Sequence, residues 1–84
     1  MKISTKGRYA LRILADIAEH GVEKNVPIRE IAERQGFSDK YLEGIVSRLS
    51  SAGLVKSGRG KYGGYRLVKL PAEYNVYEIL YAAE

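Results

Sequence analysis

The chain has 84 residues, enough for one small domain with a thin core. It carries 14 Lys and Arg against 10 Asp and Glu, a formal net charge of +4, and no cysteine, which excludes disulfides, thiolate metal sites and cysteine-held iron–sulfur clusters within these residues. A hydrophobic content of 45% argues against disorder, no apolar run reaches the ~20 residues of a membrane span, and the basic start lacks the apolar segment of a signal peptide, so a cytoplasmic location is expected.

Ser4 or Thr5 is placed to cap a helix running to about His20. Ala10, Ile13, Leu14, Ile17 and Ala18 recur at helical spacing and give it one apolar face, and Gly21 is a stop. Lys2, Lys6 and Arg8 stand at or before its start, where cations meet the positive end of the helix dipole. A bound phosphate would relieve that conflict; a frayed, solvated start is the other reading. Val22 to Val26 reads as a polar connection. Pro27 suits the first turn of a short helix over about 27–35, with Ile28, Ile31 and Ala32 as its apolar stripe. Gly36 breaks that helix, Phe37 is expected to be buried in the turn, and Ser38 caps the next one. Helix, short glycine-containing turn and helix make the pattern of a helix-turn-helix unit.

The third helix is expected over about 39–52, with Leu42, Ile45, Val46 and Leu49 as its core face. At about 100° per residue, Lys40, Glu43, Gly44, Ser47 and Ser51 fall on the opposite side. That side is small and polar and suits a major groove about 12 Å wide. Gly44 costs roughly 1 kcal/mol relative to Ala inside a helix, which close approach to a partner would explain; a plain solvated face is the alternative. Gly53 ends the helix. Residues 54–57 and 65–68 read as two short strands of a wing over about 54–68. The loop between them holds Gly58, Gly60, Gly63 and Gly64 with Arg59 and Lys61, longer than a tight hairpin needs. Glycine lets a backbone come close to another surface and the cations suit a phosphate backbone, against the plainer reading of a flexible hairpin tip. A nucleotide phosphate loop is not indicated, because a strand follows and Gly-Lys-Ser/Thr is absent.

Lys69 to Tyr74 reads as a connection containing Pro71. Asn75 is placed to cap a last helix over about 76–84, with Glu78 at capping-box spacing. Val76, Ile79, Leu80 and Ala83 form its apolar face. Tyr74, Tyr77 and Tyr81 form a second stripe, read as a covered core edge in preference to a contact with further sequence or a second copy.

Charge is segregated along this framework. Residues 1–15 hold no acid but Lys2, Lys6, Arg8 and Arg12, and residues 44–72 hold no acid but Arg48, Lys56, Arg59, Lys61, Arg66 and Lys69. A polyanion-binding face needs such a distribution. The predicted fold is mainly α with a small β-hairpin, a winged helix-turn-helix occupying residues 1–84. The function this favours is sequence-specific DNA binding. A winged helix used for protein–protein contact would want an exposed apolar stripe on the third helix, where Lys40, Glu43, Gly44 and Ser47 stand instead. An RNA-binding module would want exposed stacking aromatics, for which Tyr62 is the obvious residue. No nucleophile–base pair or paired acids appear at catalytic spacing, so no enzyme is expected. His20 is the single histidine, and no metal or cofactor is expected.

The start Met1-Lys2-Ile3-Ser4-Thr5-Lys6-Gly7-Arg8-Tyr9-Ala10, the segment Tyr41-Leu42-Glu43, and Gly53-Leu54-Val55 with Arg59-Gly60 and Gly63-Gly64-Tyr65 closely resemble the bacterial Rrf-two family of winged-helix transcription regulators, over the N-terminal portion of its members. The resemblance implies a repressor that acts as a homodimer on a roughly palindromic double-stranded DNA operator. It implies that the helix from Ser38 enters the major groove, with Ser38, Lys40, Tyr41 and Glu43 at DNA-contacting positions. It also implies that Arg59, Gly60, Lys61, Tyr62, Gly63 and Gly64 reach the neighbouring minor groove. Glu43 is the candidate for base readout, since a carboxylate accepts a hydrogen bond from the cytosine amino group; a solvated surface acid is its plain alternative. Ser47 joins the base-reading set, and Lys2, Ser4, Thr5, Lys6, Arg8 and Arg48 join the backbone-contacting set. Gly44 departs from the longer polar residue usual in the family, and Lys61-Tyr62 makes the wing resemble that of the cysteine-metabolism repressor. The family's cluster cysteines and long dimerisation helix are expected beyond Glu84, so no iron–sulfur cluster and no sensing module are expected in these residues.

Overall fold

The computed structural model describes residues 3–21, 24–58 and 63–84. Helix α1 spans Thr5–His20, α2 Ile28–Gln35, α3 Asp39–Ser51 and α4 Val76–Ala83. Strands β1 (Val55–Gly58) and β2 (Gly64–Leu67) pair antiparallel, Val55 opposite Leu67 and Gly58 opposite Gly64. This is the mainly α, winged helix-turn-helix architecture that the sequence pattern predicts.

The helix boundaries follow from local chemistry. Ser4, rather than Thr5, caps α1: its Oγ accepts from the Gly7 N–H at 3.0 Å. Ser38 caps α3 by accepting from the Tyr41 N–H at 3.2 Å. Asn75 and Glu78 close a reciprocal box at the start of α4, with the Tyr77 N–H donating to Asn75 Oδ1 at 2.7 Å and the Asn75 N–H donating to Glu78 Oε1 at 3.2 Å. Pro27 stands one residue before the first turn of α2, as its extended cap. Gly36 ends α2 at φ 75°, a left-handed conformation that a Cβ would strain, and there the chain reverses into Phe37 and the α3 cap.

The core joins the inward faces of every helix. Ala10, Ile13, Leu14 and Ile17 of α1 meet Ile31 and Ala32 of α2, Leu42, Ile45, Val46 and Leu49 of α3, and Ile79 and Ala83 of α4. Full burial of an aliphatic side chain stabilises by about 1.5–3 kcal/mol, so this cluster is the main cohesive term. Three sequence expectations need correction and a fourth gains detail. Val26 is not part of a polar connection: it is buried and pairs with Tyr65 through bonds of 2.8 and 2.9 Å, so a third chain segment flanks β2. The segment after the wing contains a 3-10 turn at Pro71–Glu73. Val76 is exposed, outside the apolar face of α4. The tyrosine stripe is not a covered edge either, because Tyr77 and Tyr81 are 68% and 87% exposed. Only Tyr74 turns inward, its hydroxyl donating to the Leu54 carbonyl at 2.6 Å and accepting from the Val68 N–H at 3.0 Å.

One charged group sits inside the core face of α1. Asp16 is 3% exposed. Arg34 of α2 grips it in a fork, Nε donating at 3.0 Å to Oδ2 and Nη2 at 2.7 Å to Oδ1, and Gln35 Nε2 donates to Oδ2 at 2.9 Å. Burial pushes this carboxyl up, but the hydrogen bonds from Arg34 and Gln35 and the charges of Arg34 and His20 outweigh it and hold Asp16 below the ordinary aspartate value. The unfolded chain therefore takes up this proton at about pH 4, while the folded chain does so at lower pH. The stabilisation is fully present above about pH 4 and is lost as pH falls through the folded value. Asp16→Asn should cost about 1–3 kcal/mol, the magnitude of a lost charge-assisted hydrogen bond whose other partner, Arg34, still reaches solvent. It should also flatten the acid limb of the stability–pH curve; urea unfolding of both proteins between pH 7 and pH 3 measures the two effects together.

Candidate nucleic-acid interface

The first turn of α1 and the exposed side of α3 meet in one groove. Lys6 from α1 lines it with Lys40, Tyr41, Gly44, Ile45 and Arg48 from α3, around a space of about 300 Å³. Three cations from two helices thus converge on one concavity, and α1 has no acid in its first turn to offset them. Gly44 forms an open stretch of the wall, since a Cβ there would meet nothing within 4 Å. The openness that the sequence assigns to Gly44 is therefore directed outward, away from the core.

The aromatic turn between α2 and α3 sets the groove's shape. Tyr9, Phe37 and Tyr41 form a cluster with ring centroids 4.4, 5.7 and 6.3 Å apart. The Arg12 guanidinium stands 5.0 Å from the Phe37 centroid and 5.6 Å from that of Tyr9 while donating to Gln35 at Oε1, 3.1 Å, and at the carbonyl, 3.3 Å. Phe37 is therefore half-buried under Arg12 rather than sealed in the turn. Tyr41, expected to contact DNA, is braced edge-on by Tyr9 and Phe37 and presents its remaining surface to the groove.

The other expected contact residues divide by position. Ser4 and Ser38 spend their oxygens as cap acceptors, and each hydroxyl keeps its proton to donate. Thr5 and Arg8 are exposed at the start of α1; Arg8 lies about 200° round the helix from Lys6 and does not line the groove. Glu43 and Ser47 are exposed on the outer side of α3, beside the groove. Arg48 donates through Nη1 to the Glu84 carbonyl at 2.8 Å, which ties the end of α4 to the groove wall. Lys2, Arg59, Gly60, Lys61 and Tyr62 lie outside the described residues. Gly63 is half-buried just before β2. Gly64 has φ 147°, and a Cβ on it would strike the Val26 carbonyl and the Pro27 nitrogen. Its close approach is to this chain's own backbone, seating the wing against the segment before α2. Lys56 and Arg66 stand directly opposite in the hairpin, and Arg66 Nε donates to Asn25 Oδ1 at 2.8 Å.

Sequence reasoning left four positioning residues unassigned: Arg12, Asp16, Arg34 and Gln35. A single acid between Ile13 and Ile17 on an otherwise apolar face was the available sign for Asp16, because such a residue requires a buried partner.

A family model described as "Rrf2: Iron-dependent Transcriptional regulator" matches residues 3–84. The protein rrf2 of Nitratidesulfovibrio vulgaris is 45% identical over 84 residues, all of this chain and 56% of that protein. The HTH-type transcriptional regulator IscR of Photorhabdus laumondii is 46% identical over 84 residues, again all of this chain and 51% of the relative. The solved structure of CymR (YrzC), the global cysteine regulator of B. subtilis, superposes with a TM-score of 0.92 at 44% identity, covering 100% of this chain and 65% of that one. The chain spans about half the length of the curated relatives it matches.

Because Gly44 has open space around its missing Cβ, Gly44→Ala should raise stability by about 0.5–1 kcal/mol through helix propensity. Thermal unfolding followed by circular dichroism checks this; a lower midpoint would mean that the glycine serves internal packing.

Proposed function

The chain belongs to the Rrf2 family of transcriptional regulators, and from that premise we propose that these residues form the DNA-binding part of a bacterial repressor. The convergence of Lys6, Lys40 and Arg48 on one groove, beside the exposed polar side of α3, is the observation that carries the reading. A duplex phosphate lodged between the α1 start and α3 would meet all three cations and the positive end of the α1 dipole. The outer side of α3 would then enter the major groove, bringing Lys40, Glu43 and Ser47 to base edges, with Glu43 accepting from a cytosine amino group. Tyr41 and Ser38 would fix register at the groove's rim. The hairpin, seated by Val26 and Gly64, would carry Arg59, Gly60, Lys61, Tyr62 and Gly63 toward the neighbouring minor groove. A homodimer on a palindromic operator and a cytoplasmic site of action carry over from the family; no helix among the described residues is long and apolar enough to cross a membrane.

Iron does not fit the residues in hand. The sequence holds no cysteine and one histidine, the Nδ1 of His20 lies 3.0 Å from the Asp16 carbonyl, and no three potential ligands converge among the described residues. No part of the proposed DNA contact runs through a metal.

Two variants separate holding DNA from reading it. With a duplex selected from a random pool and a scrambled control, Lys6→Gln should weaken binding to both. It should make the slope of log affinity against log salt shallower by roughly 0.9, one phosphate's worth. Glu43→Ala should leave the slope and the scrambled duplex unchanged while the preference for the selected duplex falls by the equivalent of about 1–3 kcal/mol. An unchanged slope in the first variant, or equal losses on both duplexes in the second, overturns the assignment.

A further inference from the structure

A second groove lies at the far end of α1. It holds about 290 Å³ and runs between the end of α1, β2 and the segment leading into the 3-10 turn, near the lower limit of ~300 Å³ for small-molecule sites. Ile17 and Lys6 are 11 positions apart on one helix, about 16 Å along its axis, and the two grooves share no lining residue. Ile17, Leu67 and Pro71 give the second groove an apolar floor, and Lys24, Arg66 and Lys69 give it a cationic rim.

The cations are not equivalent. Lys69 donates to Glu78 Oε1 at 2.7 Å and stands 4.9 Å from the Tyr74 ring, so its charge is largely matched. Arg66 donates to Asn25, a neutral acceptor that orients the guanidinium without compensating it. Directly across the hairpin from Arg66 stands Lys56, a like-charged cross-strand pair that is destabilising by itself. An anion beside Arg66 would relieve it. Nearby negative charge limits what that anion can be: the carbonyl end of α1 closes at Gly21, and Glu73 accepts from the Leu70 N–H at 2.8 Å. A monoanion is tolerated there better than a phosphate dianion.

We propose that this groove binds a small monocarboxylate with a short apolar body, its carboxylate on Arg66 and Lys24 and its apolar end on Ile17, Leu67 and Pro71. A planar carboxylate matches the fork of the guanidinium. A DNA backbone, by contrast, would leave the apolar floor without a partner. Lys24 and Arg66 flank the pairing of Val26 with Tyr65, so an occupant would bear on the seat of the wing. That consequence rests on the DNA-binding reading, whereas the site itself is tested without DNA.

The probe is isovalerate, titrated into the isotope-labelled chain and followed by amide NMR at constant ionic strength. Isovaleramide and inorganic phosphate are run in parallel. Isovalerate should give saturable shifts at Ala18, Gly21, Leu67 and Leu70, with the neutral amide and phosphate each at least about tenfold weaker, as loss of a charge-assisted hydrogen bond requires. Arg66→Gln and Lys24→Gln should each weaken isovalerate binding several-fold while the spectrum keeps its native dispersion. Lys24 is exposed, so its variant decides the matter should the other not fold. The proposal is overturned by an absence of saturable shifts, by amide or phosphate binding as tightly as isovalerate, by shifts centred on Lys6 and Lys40, or by unaltered affinity in the Lys24 variant. Variants that lose DNA affinity with a shallower salt slope, in a chain that does not bind isovalerate, would instead assign the cluster to the DNA surface.

Discussion

The carboxylate of Asp16, buried and gripped by Arg34 and Gln35, is the contact from which the geometry of the candidate interface follows. It fixes the last turn of α2 against α1. Gln35 is shared: its amide nitrogen serves Asp16 while its amide oxygen and main-chain carbonyl accept from Arg12. Arg12 in turn covers Phe37 and Tyr9, and those rings brace Tyr41 in the first turn of α3. One polar chain therefore runs from the middle of α1 to the start of the exposed helix. Apolar packing tolerates small slides between helices, whereas a forked ion pair is satisfied in a narrow range of positions. The pair thus acts as a register pin, and the hydrophobic cluster supplies cohesion.

The same division recurs at the wing. A two-stranded hairpin is marginal in water by itself. Here Val26 adds two main-chain bonds to Tyr65, and the backbone before α2 presses into the space left by the missing Cβ of Gly64. The hairpin is thereby referred to the entry of α2, the helix that Asp16 pins. Wing and α3 share a frame even though 12 residues separate Ser51 from Gly64 in sequence.

The sequence made elements legible where local chemistry decides them. Ser4, Ser38 and Asn75 announce helix starts, Gly36 announces the reversal, and the periodic aliphatics of α1 and α3 mark the faces that are buried. What it concealed depends on contacts distant in sequence. Val26 looked like the end of a polar linker because its partner is Tyr65, 39 positions on. Asp16 drew no assignment because its partner Arg34 is 18 positions away. Tyr77 and Tyr81 looked coverable because a helical stripe of aromatics commonly packs inward, and which side of α4 faces the body is fixed by Ile79 and Ala83. At the candidate interface the residue types were legible singly. That Lys6 joins Lys40 and Arg48 in one groove, while Arg8 does not, required the crossing of α1 over α3.

The departures from local good practice are instructive because the rest of the chain is consistent with itself. The starts of α1, α3 and α4 carry side-chain caps, and among the described residues no buried side-chain polar atom lacks a partner. Against that background stand a helix start with cations and no acid in its first turn, a glycine inside α3 facing open space, and two cations opposite one another in the hairpin. Each is unfavourable in the isolated domain. Sequences that otherwise satisfy local rules concentrate their violations where function requires them. The first two border the α1–α3 groove and the third borders the groove at the other end of α1. All three would be relieved by the same physical change, the arrival of negative charge or of a close surface, so the local conflicts of this fold coincide with the two grooves to which ligands are proposed.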